Sequence, residues 1–229
     1  MTTEPAIPGQ DWKSLYKSAS LALGAMVVII VIQFIVFMLA PPPYEGAALD
    51  WFRLFQANNL IGLVNFEILM VVYVILSILP MLALYVLHRR VSPSFTAIYL
   101  ALSLVGVMSF IVARPAFEML AISNGYAAAT TDMQRAVFLS AGESLLATFH
   151  GMAFQVSYVL GSLSGLIISL LMLKTNLFGK ATAYLRIASS ICDFGLYIPV
   201  VGLYISLFSV FFLLAWNILV ARRLFQLAR

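Results

Sequence analysis

Apolar residues in this chain fall in long runs separated by short polar or proline-bearing stretches, without the two-residue alternation of strands. A helix of about 20 such residues crosses a hydrocarbon core about 30 Å thick. The pattern therefore predicts an all-α fold, a polytopic transmembrane helix bundle with six spans, at about 18–40, 59–87, 94–113, 140–173, 181–196 and 200–221. Pro41-Pro42-Pro43 ends the first span, because proline cannot continue a helix. His88-Arg89-Arg90 ends the second and Arg114-Pro115 the third, so that Pro80 and Pro115 read as boundary prolines. Between the first two spans, Trp51, Phe52, Leu54 and Phe55 beside Asp50 and Arg53 predict at most two helical turns lying at the interface. An outer segment, 114–139, follows the third span. Within it Asn124-Gly125 reads as a helix stop, and Thr131-Asp132-Met133-Gln134 as the capping box that opens the next helix. Gly142 reads as a bend in that helix, and GLYIPVVG as a tight turn between the last two spans.

Composition narrows the class. The chain is 63% hydrophobic and 10% charged, with a mean hydropathy of +1.03, too little polar surface to cover a water-facing exterior. The lone Cys192 cannot close an internal disulfide. The first apolar run is longer than a signal peptide's core, so it is expected to stay as a mature helix. Charge then sets the orientation. Lys13, Lys17, Arg89, Arg90, Lys174, Lys180, Arg222, Arg223 and Arg229 fall on one side of the six spans, and only Arg53, Arg114 and Arg135 on the other. By the positive-inside rule both termini are cytoplasmic, with tails 1–17 and 223–229 flanking a transmembrane domain 18–222. The net charge of +4 is thereby a matter of topology, and no nucleic-acid partner is expected. The lipid bilayer is the expected partner.

Three longer strings carry a resemblance: WFRLFQANNLIGLVN, YAAATTDMQRAVFLSAGESLLAT, and the close FGKATAYLRI…VARRLFQL. From about Pro41 onward the chain resembles an uncharacterised family of bacterial multi-spanning membrane proteins, a domain of unknown function. The resemblance implies a multi-helix fold in a bacterial plasma (inner) membrane. It implies no substrate, cofactor or active site. Arg186 and Asp193 depart from it, standing where apolar or small residues are expected.

Polar residues inside the spans supply the candidate chemistry. On a continuous fourth helix Glu143, His150 and Ser157, seven apart, share one face at about 10 Å per step. Beside them Ala153, Ser157, Gly161, Gly165 and Ser169 recur every four residues, a small-residue stripe of the kind that lets helix backbones approach. That stripe serves packing within the bundle or a homodimer seam. Gln33, Asn59, Asn65, Glu67, Gln155, Arg186, Asp193 and Asn217 also lie at membrane depth. Intramembrane ionisable groups are by default a functional-site hypothesis. The expected site is an outer-half polar cavity lined by Glu67, Glu143 and His150 with Asp193, under segment 114–139, holding a small or lipidic ligand. The competing expectation is that these groups only fix helix register. Arg186 and Asp193, seven apart, read as a structural ion pair or as snorkelling.

Other chemistries find little support. Two histidines, His88 and His150, are too few for a zinc site of familiar spacing. Ser164 lies on the same helix as His150, about four turns away, so His150 cannot activate it. No phosphate-binding glycine loop occurs, and no cofactor is expected. The functional expectation is thus a ligand-binding or accessory membrane subunit. Small-solute transport by an oligomer and an intramembrane enzyme using His150 with Glu67 or Glu143 stand as alternatives.

Overall fold

The structure is a computed structural model describing residues 12–175 and 177–229, so that residues 1–11 of the expected N-terminal tail lie outside the described residues. Ten α-helices and no strand occur among those described. They are α1 (Lys13–Leu39), α2 (Ala48–Ala57), α3 (Asn59–Asn65), α4 (Ile68–His88) and α5 (Pro93–Val112), followed by α6 (Ala116–Ala128), α7 (Asp132–Phe149), α8 (Met152–Leu173), α9 (Lys180–Phe194) and α10 (Gly202–Ala228).

Five segments are long and apolar enough to cross a membrane: Lys13–Leu39, Ile68–His88, Pro93–Ala128, Asp132–Leu173 and Tyr204–Ala228. They correspond to five of the six expected spans. The remaining one, α9, has 15 residues and a length of about 22 Å, short of a hydrocarbon core. The chain is an all-helical, membrane-embedded protein.

Several helix boundaries differ from the expectation, each for a local reason. The second span is divided: α3 ends at Asn65, Glu67 turns the backbone with φ 64°, and α4 starts at Ile68. Pro80 lies inside α4 and does not end it. The fourth span is divided too, at His150-Gly151, and not bent at Gly142. Gly142 instead admits α2, since a Cβ there would stand 2.7 Å from the Phe52 ring and 2.8 Å from Ala48 Cβ. Asn124-Gly125 does not stop α6, which continues to Ala128; a Cβ at Gly125 would stand 2.5 Å from the ring of Phe138 on α7. At the chain ends α1 begins at Lys13 and α10 reaches Ala228, so both expected tails are partly helical. The capping box at Thr131 forms as read: Thr131 Oγ1 accepts from the Gln134 N–H at 3.2 Å, and Gln134 Oε1 accepts from the Thr131 N–H at 3.3 Å.

The chain divides into two compact units, whose limits fall inside α1, α4, α5 and α8. One unit comprises residues up to Val28 with Ile75–Met108 and Ser157–Arg229; the other comprises Ile29–Val74 and Ser109–Val156. In the second unit the connector aromatics pack inward. Trp51, Phe52 and Phe55 are fully buried on one face of α2, against Phe66, Met119, Leu146 and Phe149. Asp50 and Arg53 occupy the opposite, exposed face and pair at 3.3 Å. The α2 sequence ALDWFRLFQA is thus an amphipathic helix whose apolar face makes a core.

In the first unit α9 packs along α10 and α8. A Cβ at Gly165 would meet Ser190 Oγ at 2.5 Å and Arg186 Nε at 2.7 Å. Gly106 of α5 sits over the backbone of Ser157 and Gly161. Ser157, Gly165 and Ser169 of the small-residue stripe are buried within the chain, while Gly161 and Ala153 are half-buried.

Replacing Gly142 by Val is expected to destabilise the second unit by about 1–3 kcal/mol through overpacking at α2. Thermal unfolding in detergent, followed by helical circular dichroism, measures this; an unchanged midpoint would contradict the close approach.

Candidate functional site

Four of the helix interruptions in the second unit contribute residues to the site. They are the Pro41–Ala47 linker after α1, Phe66-Glu67 before α4, Ala113–Pro115 before α6, and His150-Gly151 before α8. Each interruption leaves backbone groups without intrahelical partners, which must be satisfied away from water. Three of them meet at the Arg114 guanidinium, and the linker joins through Tyr44 and Glu67.

Arg114 Nε donates to Glu67 Oε2 at 2.7 Å. Its Nη1 donates to the Phe149 carbonyl and to the Ala113 carbonyl, each at 3.1 Å. Phe149 is the last residue of α7, and Ala113 follows the last residue of α5. The cation thus sits at two helix C-termini, where the macrodipole is negative. Three rings enclose it, with the guanidinium carbon 4.2 Å from the Phe149 ring centre, 4.5 Å from Phe110 and 4.7 Å from Phe154. The Arg114 side chain is 2% exposed and that of Glu67 16%. Tyr44, in the α1–α2 linker, donates its hydroxyl to Glu67 Oε1 at 3.0 Å. Loss of water around that phenol, then the adjoining carboxylate charge, push its pKa well above the ordinary tyrosine value.

Glu67 holds this position in a left-handed backbone conformation, which costs a non-glycine residue about 1–2 kcal/mol. Its N–H donates to the Val64 carbonyl, and its own carbonyl accepts from the Met70 N–H, so one residue closes α3 and opens α4. Beside it, side-chain amides fasten α1. Asn65 Nδ2 donates to the Ala40 carbonyl at 2.8 Å, and Gln33 Nε2 to the Val64 carbonyl at 3.0 Å.

The expected site residues separate. Glu67 is central. His150 ends α7 as an exposed residue, its ring edge-on to Phe149 at 5.0 Å and within electrostatic reach of Arg114 and Glu67. Glu143 is committed elsewhere: its Oε1 accepts from the Ala48 N–H at 2.8 Å and caps the N-terminus of α2. The break at His150-Gly151 also takes Ser157 out of register with Glu143, so the expected three-residue polar line does not run along one helix face. Asp193 belongs to the first unit, accepting from Ser209 Oγ at 2.5 Å and Ser162 Oγ at 3.5 Å. Arg186 does not pair with it. Its Nη2 donates to the Gly161 carbonyl at 3.3 Å and its guanidinium carbon lies 5.6 Å from the Trp216 ring centre.

Arg114 and Tyr44 are the members that the sequence reading missed. Arg-Pro at the end of an apolar run reads as a loop start, and the only signal for pairing was an unmatched Glu67 in another span. Among the described residues no group of three His, Cys, Asp or Glu is placed to hold a metal ion. Fold and site together define an all-helical membrane protein with a caged ion pair at interrupted helices. No protein-family model matches the sequence, and no curated protein or solved structure matches it either.

Breaking a buried pair from one side strands a charge and costs about 3–5 kcal/mol, whereas removing both partners is close to neutral. Glu67→Met and Arg114→Met are therefore each expected to lower stability strongly, and the double variant to recover the part due to the stranded charge, the Phe149 and Ala113 carbonyls still lacking their donor. A double-mutant cycle by chemical unfolding in mixed micelles measures the coupling, and simple additivity of the two losses would contradict it.

Proposed function

We propose that the protein is a six-span, multi-pass protein of a bacterial plasma membrane, with both termini cytoplasmic, that binds a small or lipidic ligand at the Glu67–Arg114 site. The topology is supported by parity. Lys13 Nζ donates to the Arg229 carbonyl at 3.0 Å and Ser20 Oγ to the Ala221 carbonyl at 2.8 Å, so α1 starts beside the end of α10. Five crossings would part those ends, and a sixth pass by α9 with its 3-10 turn Gly195–Tyr197 joins them. All nine cations assigned to the cytoplasmic side belong to the first unit, and Arg53, Arg114 and Arg135 to the second. The nine-to-three split of these cations along the sequence follows the positive-inside rule.

One observation carries the ligand reading: a charge pair and a left-handed glutamate are maintained among aromatic rings, where apolar side chains would cost less. Strain and buried charge of this kind mark sites that select or switch. His150, exposed beside the cage, is the group that reaches the ligand, while Tyr44 and Arg114 hold the Glu67 carboxylate. The site acts by binding; Glu143 is occupied as a helix cap and is not a base. The family resemblance from Pro41 onward is compatible with this assignment and adds no substrate to it.

Solute transport is the second reading, favoured by the convergence of interrupted helices, the arrangement carriers use at their binding sites. Substrate flux in liposomes distinguishes it. A dimer seam on the small-residue stripe would require a face other than Ser157, Gly165 and Ser169, which are buried.

Native mass spectrometry of the gently solubilised full chain tests the main reading. A stoichiometric small molecule or single lipid species is expected on the wild type and lost in Glu67→Gln and His150→Phe with the fold retained. Apoprotein in every mild detergent, or retention of the same species in both variants, would leave the ion pair with a purely structural role.

A further inference from the structure

Where the α8–α9 linker and the start of α9 meet the last turns of α10, the first unit carries an open cavity of about 380 Å³. Its wall is apolar at Phe178 and Leu219 and cationic at Arg222 and Arg223, with Gln226 beside them. Among the described residues no carboxylate lines it, and no Asp or Glu occurs between Glu143 and Asp193 or after Asp193. The three side-chain ion pairs among the described residues, at Arg53, Arg114 and Arg135, all lie in the second unit.

Arg223 is fixed in place. Its Nε donates to the Leu177 carbonyl at 2.6 Å and its Nη1 to Gln226 Oε1 at 3.3 Å. Arg222 is exposed at the same opening. The cavity thus joins two cations, with no acidic counterpart among the described residues, to an apolar wall at the end of a helix long enough to span. A ligand matching that order has a phosphate at one end and a hydrocarbon chain at the other. Basic pockets between transmembrane helices at the cytoplasmic surface take anionic lipid headgroups.

We infer that this cavity is a binding site for one anionic phospholipid of the surrounding bilayer, its phosphate held by Arg222 and Arg223 and its acyl chain laid along Phe178 and Leu219. The inference rests on the protein's being membrane-embedded and not on the Glu67–Arg114 site, which lies in the other unit. The lipid ties the α8–α9 linker to α10 from outside, reinforcing the Arg223–Leu177 bond.

The test uses the full chain in nanodiscs of phosphatidylcholine alone or with phosphatidylglycerol, released for native mass spectrometry. One phosphatidylglycerol adduct, preferred over phosphatidylcholine, is expected on the wild type and on Arg222→Lys. Arg222→Gln is expected to weaken the preference about fivefold, the worth of one cation near a membrane surface. Arg223→Gln also loses the linker bond, so helical content is checked and the Arg222 pair of variants decides. An equal preference in wild type and Arg222→Gln would overturn the inference. Thermal stabilisation by inorganic phosphate without a phosphatidylglycerol adduct would overturn the lipid source and leave a free-anion site.

Discussion

The second unit depends on one contact, the 2.7 Å bond between Arg114 and Glu67. Spanning helices satisfy their own backbone, but interrupted ones do not, and inside a membrane water is absent to help. This chain breaks its helices repeatedly and supplies one guanidinium to serve two of the breaks. Two of its donors' bonds go to freed carbonyls and one to the carboxylate that neutralises it. The rings of Phe110, Phe149 and Phe154 exclude competing partners and add cation–π attraction. Glu67 in turn explains its own strained backbone. It must close α3, open α4 and present its carboxylate to both Arg114 and Tyr44.

Around this contact the aromatic face of α2 takes on a different meaning. Trp51, Phe52 and Phe55 build a ring-rich core against Phe66 and Phe149. Polar groups near that core are committed singly: Glu143 to the α2 N-terminus, Asn65 to the α1 C-terminus, Gln33 to the Val64 carbonyl. Each satisfies a helix end or a backbone carbonyl, and each joins segments far apart in the chain.

How much of this was legible follows from the range of each interaction. Apolar runs of spanning length are local, and they located the five long segments correctly. The Thr131 cap is local too, and was read from four residues. The break at Glu67 was not legible, because the left-handed position is held by glutamate where glycine would have announced it. Nor was the break at His150-Gly151, since single glycines pass unremarked in membrane helices. Arg114 was misread as a loop charge because its partner lies 47 residues away and its cage is built from three separate helices. Gly125 and Gly142 looked like punctuation and are packing contacts, a distinction made by Phe138 and Phe52 elsewhere in the sequence. Glu67 was expected at a site, whereas its partner Arg114 was counted only as an outer-side charge.

The most direct test of the account is hydrogen exchange across the second unit in nanodiscs, comparing wild type with Glu67→Gln. If the Arg114–Glu67 contact holds the helix interruptions together, amides near residues 40–47, 66–70, 113–116 and 149–152 should lose protection in concert, while exchange in α9 and α10 stays unchanged. Faster exchange confined to the neighbourhood of residue 67, with the other three interruptions as protected as before, would contradict it.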